Sequence, residues 1–189
     1  MQPSDDALMA RVAAGSEAAF DLLVGRWQRE VLRLLWRLTG SREEAEDLAQ
    51  ETFLRVWRSA SRYRGDGRFR AWLLRIAANL ARSRARRRAL VSWLPWRAEA
   101  DRRPDPAPDP LDDLAARQRR DRVQAALARL PARQREALVL RRFHDLPVRE
   151  IATVLEISEG AVESLITRAL RALRRDLAGN AEDDHETRA

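Results

Sequence analysis

The stretch from Leu146 to Val162, LPVREIATVLEISEGAV, has the spacing of two short helices separated by a tight turn. Pro147 can begin a helix, because the amide that proline lacks would have no partner in the first turn. Ala152 and Leu155 lie on one apolar face, and the small Ala152 allows a second helix to cross closely. Ser158 is placed to cap that second helix. The stretch therefore predicts a helix-turn-helix.

The second helix of this motif has an apolar side and a polar side. Val162, Ile166 and Ala169 recur at helical spacing and would bury it against the first helix. The polar side carries the residues expected to face outward, Glu163, Ser164, Thr167, Arg168 and Arg171. A short helix, a turn and a second helix with a polar outer face can enter a DNA major groove. The alternative is an ordinary helical hairpin whose charged face is solvated.

The charge balance of the chain also favours a nucleic-acid partner. The formal net charge is +7, and all 36 basic residues are arginine. The planar guanidinium group pairs well with phosphate and with guanine edges. A genome that prefers arginine codons would explain the missing lysine, but it would not explain the excess of positive charge.

Other function classes find no support in the composition. The chain has no cysteine, and its two histidines are His144 and His185, which argues against disulfides, cysteine nucleophiles and zinc fingers. No nucleophile lies beside a plausible base, so we predict a protein that is not an enzyme and that needs no cofactor or metal. The N-terminus lacks a signal pattern, and arginines interrupt every apolar stretch. These features predict a cytoplasmic protein without membrane insertion.

The rest of the pattern predicts an all-α fold with two small helical domains. Glycine and proline are concentrated at a few places, and apolar residues recur at steps of three and four between them. Ser41 and Glu44 have the spacing of a capping box at the start of one helix. The predicted helices cover 5–14, 16–40, 44–58, 69–88, 111–130, 132–142, 148–155 and 159–177.

A change of composition marks the domain boundary. Residues 91–110 hold five prolines among charged residues and alanines, which predicts an extended linker. We therefore expect a first domain at 1–90, a proline-rich linker at 91–112 and the helix-turn-helix domain at 113–178. The acidic residues 179–189 are expected to form a disordered tail.

Two features of the first domain go beyond packing. One is a polar helix face formed by Asp47, Gln50, Glu51 and Arg55, for which the alternative is a merely solvated surface. The other is a glycine loop that starts at Tyr63 and leads into an arginine-rich helix. Aromatic rings that stack on bases, beside arginines that hold the backbone, can bind single-stranded nucleic acid. The alternative places Phe69 and Trp72 in the core and the arginines in solvent; we expect Trp72 in the core and Tyr63 at its edge.

Three motifs in this domain carry a family resemblance. They are DLAQETFLRVW at 47–57, YRGD at 63–66 and WLLRIAAN at 72–79, and a fourth match runs from Leu130 to Arg174. With these motifs in this order, the chain resembles a bacterial RNA polymerase sigma factor of the extracytoplasmic-function group from about residue 5 to residue 177. The resemblance implies that the chain binds core RNA polymerase, directs it to promoters and promotes DNA melting.

The resemblance also implies a role for each surface. The face formed by Asp47, Gln50, Glu51 and Arg55 would dock on the clamp helices of the largest polymerase subunit. The residues implied for the minus-ten element, where a base is captured and the backbone is held while the strands separate, are Tyr63, Arg64, Asp66, Arg68, Arg75, Asn79, Arg82 and Arg86. Those implied for the minus-thirty-five element are Arg141, Arg149, Glu163, Ser164, Thr167, Arg168 and Arg171. The linker would run toward the active-centre cleft, and an anti-sigma factor is an expected partner.

The chain departs from the family pattern at Glu163 and Leu165, where members often carry basic residues. A carboxylate repels phosphate, but it can accept a hydrogen bond from the cytosine amino group. We therefore expect an altered minus-thirty-five preference.

Two other functions are possible from the residues alone. One is a helix-turn-helix regulator that binds operators as a dimer without polymerase, which would leave the Asp47–Glu51 face and the Tyr63 loop unexplained. The other is a sigma mimic that sequesters anti-sigma partners, but a decoy would need no arginine-rich helix ending at Arg88.

Overall fold

The computed structural model describes residues 3–92 and 114–186, with side chains from 3 to 90 and from 119 to 176. Within these ranges the chain is helical and contains no strand. The helices are α1 (Asp5–Ala13), α2 (Glu17–Thr39), α3 (Arg42–Ser59), α4 (Phe69–Ser92), α5 (Leu114–Arg129), α6 (Ala132–Phe143), α7 (Val148–Leu155) and α8 (Glu159–Glu186), with a 3-10 turn at Ala60–Arg62. The predicted all-α fold is confirmed. Except for Val91 and Ser92, the predicted linker lies outside the described residues.

Serine side chains begin the first helices as the sequence predicts. The hydroxyl oxygens of Ser4 and Ser16 accept hydrogen bonds from the amides of Ala7 and Ala19, at 3.2 and 3.3 Å. Gly40 ends α2 in the left-handed conformation, with φ at 77°. A side chain there would be strained, so glycine suits this position. Among the described helices, none is long and apolar enough to cross a membrane.

The capping box predicted at Ser41 is only half formed. Ser41 Oγ accepts a hydrogen bond from the Glu44 amide at 3.2 Å, as predicted. The Glu44 side chain does not return to Ser41, because Arg84 and Arg88 of α4 form ion pairs with it. The Ser41 amide donates instead to Thr39 Oγ1 at 3.3 Å. Two charged donors on the neighbouring helix stabilise the carboxylate more than one neutral amide would.

Two predicted helix ends are wrong. Helix α4 continues through Ser92, two residues into the segment that we predicted as linker, because the stretch from Phe69 to Leu94 contains no proline. Helix α8 continues to Glu186, so the prediction of a disordered tail is wrong for 179–186. This segment has no proline, and its single glycine costs only about 1 kcal/mol of helix stability.

In the first half of the chain, α1, α3 and α4 pack around α2. The sides of α2 and α4 that face each other are apolar, and Leu23, Leu34, Leu35, Leu73 and Leu74 are fully buried there. Burying such side chains stabilises the fold by about 1.5 to 3 kcal/mol each. The four helices form a scaffold from which the α3 face and the loop before α4 project.

The second half packs directly on the first. Helices α5 and α6 contact α2, and α7 contacts α4. The guanidinium of Arg37 lies 3.7 Å from the ring centroid of Phe143. Gln124 donates to the backbone oxygen of Trp36 at 3.2 Å, and Arg135 donates to that of Leu38 at 2.8 Å. One cluster of buried residues spans both halves, so they form a closed arrangement.

Candidate nucleic-acid interface

The helix-turn-helix forms where the sequence predicts it. Ile151, Leu155, Val162 and Ala169 are buried between α7 and α8. The turn is closed by a 3.1 Å hydrogen bond from the Ile157 amide to the Ala152 oxygen. Ser158 caps α8, because its Oγ accepts from the Ala161 amide at 3.3 Å. Apolar packing and local hydrogen bonds together fix how α8 is presented.

The predicted minus-thirty-five residues are all on the surface, and five of them share one side of α8. Glu163, Ser164, Thr167, Arg168 and Arg171 are all exposed on the side of α8 away from the core. Arg141 and Arg149 are also exposed, and the Arg141 side chain donates to the Leu146 backbone oxygen at 3.1 Å. The five α8 residues are therefore exposed to solvent in the closed arrangement, whereas Arg149 lines a cavity with Gly67 and Arg68.

The turn between α7 and α8 contains an unusual backbone conformation. Glu156 has φ at 57° and ψ at 47°, the left-handed region, where glycine is the usual residue. Its carboxylate lies 3.4 Å from a guanidinium nitrogen of Arg75 in α4. An arginine predicted to hold minus-ten DNA is thus paired with the turn of the second half.

The glycine loop before α4 is held by aromatic contacts and by one distant carboxylate. The Tyr63 ring lies edge-on to Phe69, with centroids 5.8 Å apart, and 5.0 Å from the ring of Trp72. Tyr63 and Trp72 are both half-buried. The Tyr63 hydroxyl donates to Asp6 at 2.6 Å. The pKa of this hydroxyl is raised, because partial burial and the Asp6 carboxylate both disfavour the phenolate.

A cavity of about 440 Å³ opens beside this loop. Its walls combine aromatic, basic and acidic groups with one residue of α7, and they include Tyr63, Asp66, Trp72, Arg75 and Thr153. Arg64 and Arg68 also line it, and both are exposed. The loop residues of the predicted minus-ten set therefore surround one recess.

The remaining residues of that set lie along α4, and two of them contact the second half. Arg82 donates two hydrogen bonds to the Glu136 carboxylate of α6, at 3.0 and 2.7 Å, and one to Asn79 at 2.8 Å. Arg86 is exposed and donates to Ser83. The structure thus divides the minus-ten set into loop residues around the cavity and α4 residues, of which Arg75 and Arg82 pair with the second half.

A further polar contact joins the two halves near His144. Arg70 donates to Glu30 at 2.7 Å and to the His144 backbone oxygen at 2.6 Å. The buried ring of His144 places Nδ1 3.3 Å from the same carboxylate. Burial alone would raise the pKa of Glu30, but the hydrogen bonds with His144 and Arg70 lower it overall. Glu30 therefore remains charged between the halves.

The predicted polymerase-binding face of α3 is on the surface. Asp47, Gln50 and Arg55 are exposed, and Glu51 is partly exposed. Glu51 accepts a 2.8 Å hydrogen bond from Arg55, and this bond lowers the pKa of Glu51. Beside this face, α2 and α3 enclose an open groove of about 580 Å³ whose lining includes Leu54. Nothing in the described second half covers this part of α3.

Sequence reasoning missed Asp6, Glu136 and Glu156. Asp6 appears only as an acidic residue in the first turn of a helix, and the two glutamates have no sequence spacing that relates them to α4. Among the described residues, no group of histidine and acidic side chains could hold a metal ion.

Comparisons with known proteins agree with a division of the chain into two helical halves. Residues 23–91 match the model of Sigma-70 region 2, and residues 120–173 match that of Sigma-70 region 4. The RNA polymerase sigma-H factor of Pseudomonas aeruginosa is 35% identical over 188 residues, which cover 93% of this chain and 95% of the relative. The extracytoplasmic-function RNA polymerase sigma factor SigE of Mycolicibacterium smegmatis is 37% identical, with 97% of this chain and 73% of the relative covered.

A solved structure has the same overall arrangement. CnrH, in complex with the cytosolic domain of CnrY, aligns with a TM-score of 0.72 and 29% identity, over 94% of this chain and 99% of that one. The sequence match to sigma-H extends along nearly the whole chain and includes both regions that bear the candidate surfaces. The chain therefore belongs to the extracytoplasmic-function sigma factors of bacterial RNA polymerase.

Proposed function

We propose that this sigma factor recruits core RNA polymerase, selects promoters and favours strand separation through three separate surfaces. They are the α3 face, the loop and α4 arginines, and the outer face of α8. The observation that carries this division is the α7–α8 geometry, in which the four predicted base-reading residues of α8 share one exposed face with Arg171, which is predicted to lie near phosphate. Polymerase docking and duplex reading can then occur on opposite halves of the chain.

The α3 face provides the polymerase contact. Its four residues carry two carboxylates, an amide and an arginine, and Glu51 stays charged because Arg55 bonds to it. Charge complementarity of this kind steers association and fixes orientation. The adjoining apolar groove adds hydrophobic contact area to the charged contacts of the α3 face.

The outer face of α8 reads the minus-thirty-five element as duplex. Arg168 and Arg171 can pair with phosphate or guanine, and Ser164 and Thr167 can bond to base edges. Glu163 accepts from a cytosine amino group. Each base contact of this kind contributes about 1 to 3 kcal/mol of discrimination.

The loop and α4 act on the minus-ten element. The recess beside Tyr63 receives an unstacked base, and Arg75, Arg82 and Arg86 hold the backbone. Base extrusion costs about a few kcal/mol, so contacts made only to the extruded base shift the equilibrium toward melted DNA. This action is binding, and the chain needs no enzymatic activity for it.

DNA binding along α4 requires the two halves to separate. In the closed arrangement Arg75 is paired with Glu156 and Arg82 with Glu136. A phosphate and a carboxylate bind the same donors of a guanidinium group, so they compete for it. Polymerase, by holding the halves apart, would release these arginines for DNA.

We also propose a protein partner that holds the factor inactive. The family resemblance implies an anti-sigma factor, and CnrH was solved with bound CnrY. Because a sigma factor acts where polymerase and chromosome meet, we expect this one in the cytoplasm.

Run-off transcription tests the proposal. The protein is added to bacterial core polymerase that lacks any sigma factor, on a library of genomic promoter fragments. Specific initiation is expected with the intact chain and not with the charge-reversed variant Glu51→Arg. A folded chain that footprints the same fragments without polymerase, and starts no transcript with it, would favour the operator-binding regulator instead.

A further inference from the structure

The first helix of the chain is firmly attached to the scaffold. Leu8, Met9 and Val12 of α1 are buried in the core. Asp5 forms an ion pair with Arg26 of α2, and Arg26 also donates to a backbone oxygen before α1. The buried side chains fix the position of α1, and with it that of the residue that follows Asp5.

That residue, Asp6, binds both ends of the glycine loop with one carboxylate. Its Oδ1 accepts a hydrogen bond from the Tyr63 hydroxyl at 2.6 Å. Its Oδ2 accepts one from the Gly67 amide at 2.8 Å. Acidic residues are common in the first turn of a helix because they stabilise its dipole. Asp6 does more than this, since both of its oxygens are bonded to a segment about sixty residues away.

Little else restrains the loop between these two ends. Gly65 and Gly67 have φ at 63° and 74°, and a side-chain carbon built on either would meet no atom within 4 Å. The Arg68 amide donates to Asp66 at 3.3 Å, the Arg68 guanidinium lies 3.9 Å from the same carboxylate, and the Tyr63 amide donates to the Ala60 oxygen at 3.1 Å. Glycines that lack packing lose much conformational freedom when they are ordered. The two bonds to Asp6 therefore supply a large part of the order of the loop.

We propose that Asp6 positions the Tyr63–Gly67 loop for capture of the minus-ten base. The proposal rests on the proposed function of this loop. Asp6 does not line the recess beside Tyr63, so it acts through Tyr63 and Gly67 and touches no base. A recess whose wall is ordered before DNA arrives binds without the entropic cost of ordering it then. Selectivity for the captured base should therefore depend on a residue of α1.

Three variants separate this role from a general loss of stability. Asp6→Ala removes both bonds to the loop. Asp6→Asn removes the charge but keeps the geometry, because its oxygen can accept from the Gly67 amide while its amide donates to the Tyr63 oxygen. Asp5→Ala is the matched control, since it removes a neighbouring carboxylate and its ion pair with α2, while the buried Leu8, Met9 and Val12 keep α1 in place.

Each variant is bound to core polymerase and offered a pool of single-stranded DNA oligonucleotides randomised at six central positions. The readouts are the enrichment of the preferred base, the affinity for core polymerase and the exchange rate of the Gly67 amide proton. We expect Asp6→Ala to reduce the enrichment by about tenfold, as loss of one to two net hydrogen bonds implies. Gly67 should exchange faster in this variant, with unchanged affinity for polymerase. Asp6→Asn and Asp5→Ala should keep the selectivity of the parent.

The outcomes distinguish a failure of the positioning role of Asp6 from a failure of the proposed function of the loop. If the parent protein binds polymerase but enriches no base, base capture by the loop is wrong. If the parent enriches a base and Asp6→Ala enriches it equally, the positioning role of Asp6 alone is wrong. Loss of selectivity in Asp5→Ala to the same extent would also overturn it. If Asp6→Ala does not fold, Tyr63→Phe removes one of the two bonds while keeping the ring, and retained enrichment there would count against the role.

Discussion

The guanidinium of Arg82 in α4 forms two hydrogen bonds with the carboxylate of Glu136 in α6, and both side chains are largely withdrawn from solvent. This contact joins the two halves of the protein through an arginine that we propose for DNA binding. Glu136 also lies 3.6 Å from Arg133 of its own helix. Because carboxylate and phosphate bind the same guanidinium donors, opening of the chain and binding of DNA are coupled.

Glu136→Gln should therefore open the closed arrangement. Loss of one partner of a buried ion pair costs about 3 to 5 kcal/mol, and separation of the halves lets Arg82 recover its hydration. We expect a larger radius of gyration in small-angle X-ray scattering. The matched variant Arg82→Gln should open the chain equally, but it alone should weaken binding of the holoenzyme to promoter DNA. Equal promoter affinity in the two variants would contradict the role of Arg82.

Reversal of charge on the α3 face should weaken polymerase binding. Glu51→Arg places a like charge beside Arg55, and we expect at least about a tenfold loss of affinity for core polymerase. Fluorescence anisotropy of the labelled protein measures this affinity. Asp121→Arg, the same change at an exposed position of α5, serves as control. The assignment fails if both variants bind as the parent does.

Removal of the Glu163 carboxylate from α8 should relax promoter choice. Glu163 is exposed on α8, and its replacement by alanine removes a repulsion from phosphate together with one acceptor for cytosine. Selection from a promoter library should lose preference at one minus-thirty-five position, by about 1 kcal/mol or more. Overall affinity should rise slightly. An unchanged preference at every position would contradict the role of Glu163 in promoter choice.

The contact around Glu30 should make the fold sensitive to acid. Its pKa in the folded protein lies below the ordinary value of 4.5, so the unfolded chain takes up this proton more readily. The stability from Glu30 is therefore complete above pH 4.5 and is lost as the pH falls through the folded pKa. Urea unfolding at a series of pH values should show a steeper loss in the parent than in Glu30→Gln. Parallel curves would argue against this contribution.

The left-handed turn at Glu156 should be a site where stability can be gained. Glycine tolerates φ near 57°, so Glu156→Gly should raise the free energy of unfolding by about 0.5 to 1 kcal/mol. The ion pair with Arg75 is exposed and contributes little to stability. Glu156→Gln keeps the strain and removes the charge, and it should not be stabilised. Chemical denaturation of both variants distinguishes backbone strain from charge.

Local sequence patterns predict the helices of this protein well and the pairing of its charges poorly. Ser158 begins α8 as expected, because capping depends on residues three positions apart. The reciprocal bond of Glu44 fails, because the competing arginines come from another helix. Acidic composition is typical of disorder and predicts an earlier end of α8, but a segment without proline can continue the helix.

Sequence patterns also predict which residues of the candidate surfaces are exposed, but not which distant residues they contact. Glu163 and Arg168 are found on an exposed face because helical spacing alone determines which side of α8 they occupy. The partners of Arg75 and Arg82 cannot be predicted from spacing, because they lie in the other half of the chain. Asp6 is missed for the same reason, since its contacts with Tyr63 and Gly67 depend on how α1 docks.

The closed arrangement has a consequence for how partners are chosen. Two halves of one chain encounter each other at an effective concentration that does not fall when the protein is diluted. A partner that binds only one half, and whose concentration is lower than this effective concentration, competes with the intramolecular contact at a disadvantage. A partner that binds both halves gains avidity only if the distance between its two binding sites matches the distance between the halves of the opened chain. Selection by this protein would then depend on the span of its partner as much as on the strength of either contact.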